Sequence, residues 1–140
     1  MRYQEIMEDV EPISLQDWWK SGKGRNQWTV YSVPTGSVSV YARRNIVDPR
    51  VIEIVSISTI DGFGAARSLY RTFLADIPAI AENVLNSDLD RMLEKLGWDF
   101  AYRDLADIPT RINKKFQETF PDYAQAHSAF AAILTAKKSS

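Results

Sequence analysis

The chain has 140 residues, with 17 Lys and Arg against 18 Asp and Glu, 45% hydrophobic and 25% charged, and a formal net charge of −1. These values exclude wholesale disorder and collagen-like repeats, and they fit one domain of about 100–200 residues rather than two. Near-neutral charge removes the broad basic field of non-specific nucleic-acid binders, and the absence of cysteine excludes disulfides, thiolate zinc sites and a cysteine nucleophile.

In chain order, residues 2–7 carry the pattern of a first strand, closed by Pro12. Ser14 is a candidate N-cap for a short helix from Leu15 to Lys20 that carries Trp18 and Trp19, and Ser21-Gly22-Lys23-Gly24 breaks the chain after it. Gln27–Val33 and Ser37–Tyr41 alternate as half-buried strands around the turn Pro34-Thr35-Gly36, which predicts an antiparallel hairpin. Val51–Ser58 is β-branched and almost continuously apolar, as a central strand covered on both faces should be, with Glu53 as the exception.

Asp61-Gly62-Phe63-Gly64 then leads into a helical pattern with Leu69, Tyr70, Phe73 and Leu74 on one face. Residues 77–85 carry a strand pattern. Ser87 is a candidate N-cap for a helix with Leu89, Met92, Leu93 and Leu96 at helical spacing, ended by Gly97, and Trp98–Arg103 reads as a further strand. From about residue 105 the pattern is helical: one helix starts at Pro109 with Ile112, Phe116 and Phe120 on a face, and another starts near Asp122. The expected architecture is a mixed α/β layer fold with a parallel strand–helix–strand crossover at its centre and a helical C-terminal extension.

A strand, a glycine turn and a helix start make an anion site by simple physics. The first-turn N–H groups of a helix have no intrahelical partner, the dipole adds partial positive charge, and glycine lets a phosphate approach the backbone. Here Gly62 and Gly64 flank Phe63, Ala65 and Ala66 keep the helix start small, and Arg67 offers a charge-assisted contact. No Gly-Lys-Ser/Thr follows, which excludes a P-loop, and no third glycine supports a dinucleotide fold. A tight turn before a packed helix is the competing reading.

The order of two segments carries more than either alone. EIVSISTIDGFGAARSLYRTFL (53–74) is followed, after an intervening strand, by NSDLDRMLEKLGW (86–98). Together they resemble the GNAT acyltransferase superfamily, whose members carry Arg/Gln-x-x-Gly-x-Gly/Ala before one helix and Asn-x-x-Ala, an aromatic and Lys-Leu-Gly-Phe along the next. The resemblance covers Val51 to about Arg103, and the hairpin-first order agrees with it. It implies a GNAT-like domain over residues 1–104, with residues 105–140 as a helical extension packed on it.

The resemblance also implies chemistry. Backbone groups of Gly62, Phe63, Gly64, Ala65, Ala66 and Arg67 would hold the pyrophosphate of acetyl-CoA, those near Ile57, Ser58 and Thr59 would pair with its pantetheine arm, and Asn86 would line that arm from the other side. In the family the two central parallel strands splay apart to admit the arm. Glu53 lies where some members place a general base, and a carboxylate on a buried strand suits that role because burial disfavours its charged form. Leu93 stands where the family often has the tyrosine that protonates the leaving thiolate, so Tyr102 becomes the candidate proton donor. The family adds one more strand after the segment at 98–103, where LADIPTRINKKF here looks helical. The implied activity is acetyl-CoA-dependent N-acetylation of an amine, on a small molecule or a protein. The alternative is a protein of the same fold, without catalysis, that binds a partner; the C-terminal helices would then dock a protein or a second copy of the chain.

Competing structural readings accompany each residue. Glu53 can sit at a strand edge or pair with an arginine, Asn86 can serve as a cap, Tyr70 and Tyr102 can be packed, and Arg67 can be solvated. Trp18 and Trp19 lie beside Lys20, Lys23 and Arg25, a grouping that could stack bases or meet a partner, but core packing of one tryptophan with solvated lysines is the plainer reading. Arg43-Arg44 reads as a solvated pair. His127, the only histidine, falls on an apolar helical stripe with no carboxylate motif beside it, so no metal site is expected. No apolar run approaches the roughly 18 residues of a membrane span, and no signal-peptide core follows Met1. The expectation is a soluble, cytoplasmic protein of bacterial or phage type, with nucleic acid disfavoured as a partner.

Overall fold

The computed structural model describes residues 13–23, 26–59, 64–103 and 106–122. The expected strand at 2–7, the turn residues Gly62 and Phe63, and the helix expected beyond Asp122 with His127 lie outside the described residues. Nothing is described of the side chains of Thr59 and Tyr102, although their backbones belong to strands.

The first helix, α1 (Leu15–Lys20), is capped by the Ser14 hydroxyl, which accepts from the Asp17 N–H. It buries Leu15 and Trp18 completely. The hairpin forms as the alternation predicts, from β1 (Gln27–Val33) and β2 (Gly36–Arg44) in antiparallel register. Its inward residues Tyr31, Val38, Val40 and Ala42 enter the core, while Trp28 stays half exposed against Tyr41 on the other face.

Strand β3 (Ile52–Thr59) pairs antiparallel with β2. Helix α2 begins as an α-helix (Gly64–Ser68), widens into a π turn (Leu69–Phe73) and tightens into a 3-10 turn (Leu74–Asp76). It buries Ala65, Ala66, Leu69, Tyr70 and Leu74 against the sheet. Strand β4 is short, Ala79–Ala81, rather than the longer run expected over 77–85, and it pairs parallel with β3.

Helix α3 (Ser87–Lys95) buries Leu89, Met92 and Leu93. Its cap is Asn86 rather than Ser87: Asn86 holds extended backbone, and its side-chain oxygen accepts from the N–H groups of Asp88 and Leu89. An Asn at this position satisfies two orphan donors, which leaves Ser87 as the first helical residue. Gly97 at φ +89° ends the helix in the left-handed conformation that glycine adopts without a steric penalty.

Strand β5 (Asp99–Arg103) follows as expected, but Pro109–Ile112 is a strand, β6, where a helix was expected. The helical spacing of Ile112 with Phe116 and Phe120 misleads here. Pro109 instead begins an extended segment that is buried at all four positions and inserts between β4 and β5. The helix starts only at α4 (Lys114–Thr119), capped by Asn113.

The result is a mixed sheet of six strands in the order β1-β2-β3-β4-β6-β5, antiparallel except for the β3–β4 pair. One cluster packs α1, α2 and α3 against the sheet through Trp18, Val40, Ile52, Leu69 and Leu93. A smaller one joins Val51, Ala101, Ile112 and Phe116. Among the described residues no helix is long and apolar enough to cross a membrane.

Candidate functional site

The centre of the sheet does not close. The paired positions of β3 and β4 end at Ile54↔Ala81, and the last bond between the strands runs from the Glu82 N–H to the Ile54 carbonyl at 2.9 Å. Two local features then drive the chains apart. On β3, Tyr41 faces Ser56 while Ala42 faces Ile54, so Val55 is a bulge residue that bends the strand. On the other side Asn83 takes φ +44°, a left-handed conformation that Asn tolerates better than most residues. The chain after Glu82 turns to β6, with the Asn83 N–H donating to Thr110 Oγ1 at 3.2 Å and the Val84 N–H to the Pro109 carbonyl at 2.7 Å.

Between the parted strands lies a groove of about 170 Å3. Ile54 to Ile57 form one wall, Ala81 to Asn86 the other, and Tyr70 and Leu89 close it from the helix side. Leu85 is 78% exposed at the groove. Beyond Ile54, β3 stays paired on its β2 side, and Val55, Ser56 and Ile57 line the groove on the other. An open strand edge is a row of donors and acceptors for an extended ligand.

The expected site residues fall as follows. Ile57 lines the groove, whereas Ser58 and Thr59 lie farther along β3, opposite Ser39 and Val38. Asn86 serves both readings at once: it caps α3 and lines the groove. Gly64 begins α2, and a Cβ added there would meet nothing within 4 Å. Ala65 and Ala66 are buried beneath the helix, while Arg67 is exposed. Arg67 and Arg71 of α2 border a second, wider groove of about 450 Å3 together with Arg91 and Lys95 of α3. Tyr70 is core, in an edge-on contact with Trp98, and burial pushes its phenol well above the usual range. Tyr102 belongs to the edge strand β5, with β6 between it and β4. Leu93 is fully buried.

Glu53 points to the opposite face from Ile52 and Ile54, away from α1, α2 and α3. It is paired, as the competing reading had it: Arg43 Nε donates to Glu53 at 2.7 Å, and the Nη2 of the same guanidinium donates to Glu82 at 2.7 Å. The Arg43-Arg44 pair is therefore not simply solvated. Arg44 stacks 3.7 Å from the Trp19 ring centre and donates to the Trp19 and Pro49 carbonyls, so it fastens α1 to the hairpin end.

Sequence reasoning missed Glu82. Its carboxyl is raised from the usual 4.5 to about 7, first by burial and then by the hydrogen bond and charge of Glu53, against the opposing pull of Arg43. The available signal was a lone acid directly after the apolar Ala79-Ile80-Ala81 run, at the end of the second central strand. Among the described residues no group of three or more acidic or histidine side chains could hold a metal ion. No protein-family model matches the chain, and neither a curated protein nor a solved structure matches it.

Proposed function

We propose that this protein is a GNAT-like N-acyltransferase that binds acetyl-CoA in the groove between β3 and β4 and acetylates an amine. The observation that carries the reading is the opening of the parallel β3–β4 pair beyond Ile54 and Ala81, with Asn86 at the rim. The β6 strand supports it too, since the family resemblance calls for one more strand after the segment at 98–103.

The residues fit the ligand's chemistry. A pantetheine arm is an extended chain with two amides, and the groove-side edge of β3 offers the complementary backbone groups. The start of α2 at Gly64 leaves space for a phosphate, and Arg67, Arg71, Arg91 and Lys95 put positive charge on the adjoining helix surfaces. Acetyl-CoA supplies an acetyl group activated as a thioester. The protein's own part is to hold the arm against β3, screen the carbonyl from water and accept the acceptor's proton at a carboxylate of the Arg43–Glu53–Glu82 group.

One observation favours the second reading, a binding protein without catalysis. The position where the family often has a proton-donating tyrosine is Leu93, deep in the core. Titration calorimetry with acetyl-CoA addresses the ligand directly. The reading expects saturable binding that Gly64→Glu abolishes, since the new side chain finds room without disturbing the fold yet places negative charge where the phosphates belong. A native protein that takes up no acetyl-CoA contradicts the transferase reading.

A further inference from the structure

We infer that Glu82, at the end of β4, is the group that takes the proton from the acceptor amine, and that Glu53 and Arg43 position it rather than act on substrate themselves. This rests on the reading of the groove as a thioester site, and it moves the base from the expected strand to its neighbour.

Three observations separate the two carboxylates. Glu82 is part of the groove wall and Glu53 is not. Glu53 is paired with the Arg43 Nε, and its side chain is only 10% exposed, against 20% for Glu82. Glu82 also follows the last residue before the strands part, so its backbone is the final rung between them. A base must reach the proton it removes, and only the carboxylate on the groove wall meets that condition.

The surroundings tune the group for this work. Burial and the neighbouring Glu53 carboxylate favour the protonated form, while Arg43 opposes them, so Glu82 exchanges its proton near neutrality. Tyr70, on the helix side of the groove, stays protonated, and Arg111 of β6 is held by Asp90. In the step itself Glu82 removes one proton from the acceptor ammonium. The freed nitrogen lone pair forms the C–N bond at the thioester carbonyl as the C–S bond breaks. A second N–H proton ends on the thiolate sulfur, and Glu82 returns its proton to solvent.

The test is thiol release from acetyl-CoA with n-butylamine, putrescine and a lysine-containing peptide as probe acceptors, followed against pH. Acetyl-CoA binding is measured in parallel by calorimetry. The native protein is expected to lose kcat/KM as pH falls below about 7. Glu82→Gln should lower kcat by about 100-fold or more and remove that limb, with acetyl-CoA affinity unchanged. Glu53→Gln should move the limb to lower pH, because it removes a group that holds the proton on Glu82. A merely structural role for Glu82 would leave the shape of the profile intact. Acetyl-CoA binding with an unaltered profile in Glu82→Gln overturns this inference alone, as does binding with no thiol release from any probe. Absence of acetyl-CoA binding overturns the underlying reading and this assignment with it.

Discussion

Asn113 does more for this fold than its polarity suggests. Its side-chain oxygen accepts from the N–H groups of Ala79 and Phe116, and its amide nitrogen donates to the carbonyls of Leu74 and Ile77. Those four bonds join the end of α2, the start of β4 and the cap of α4 in a site only 3% exposed. Asn113→Ala leaves several buried groups unpartnered and should cost about 2–4 kcal/mol in urea denaturation. Asn113→Asp turns two donated bonds into oxygen–oxygen contacts and should cost at least as much; a melting point equal to the native one would contradict the role. Glu82 acts through its proton. The folded chain keeps that proton up to about 7, whereas an ordinary carboxyl gives it up near 4.5. Between those values the folded state binds more protons than the unfolded state, so stability falls as pH rises and levels off above about 7. Glu82→Gln should remove that fall, and parallel melting curves at pH 4.5 and pH 7.5 check it.

At the scale of elements, the groove is a consequence of how β3 and β4 end their pairing. β3 stays paired with β2 on both sides of its bulge, while the chain after β4 turns to β6 through Asn83. A residue with a bulkier or branched side chain tolerates φ +44° poorly. Asn83→Val should therefore destabilise by about 1–2 kcal/mol, while Asn83→Gly stays close to native. Equal stabilities for the two variants would argue against a left-handed turn at this position. The elements were unequally legible in the sequence. Alternation gave β1 and β2, and the buried spacing of Leu89, Met92 and Leu93 gave α3. The segment around Pro109 misled because its apolar residues also match a helix, and only the gap between β4 and β5 decides that it is extended. Period alone does not separate a short buried strand from a helical turn.

For the molecule as a whole, the hairpin, the parallel crossover and the second helix place an opening at the centre of the sheet, where the β3–β4 pairing ends. Ile57 and Asn86 were readable as its lining from the order of motifs. Glu82 was not, because it meets Glu53 through Arg43, residues of two other strands, and no local pattern encodes that meeting. The opening itself needs a bulge and a left-handed asparagine, neither of which leaves a periodic trace. The account is tested most directly by amide chemical-shift mapping in a titration with acetyl-CoA. Saturable shifts should concentrate at Val55–Ser58, Gly64–Arg67 and Asn86. No saturable shift, or one confined to residues away from the groove and α2, would contradict it.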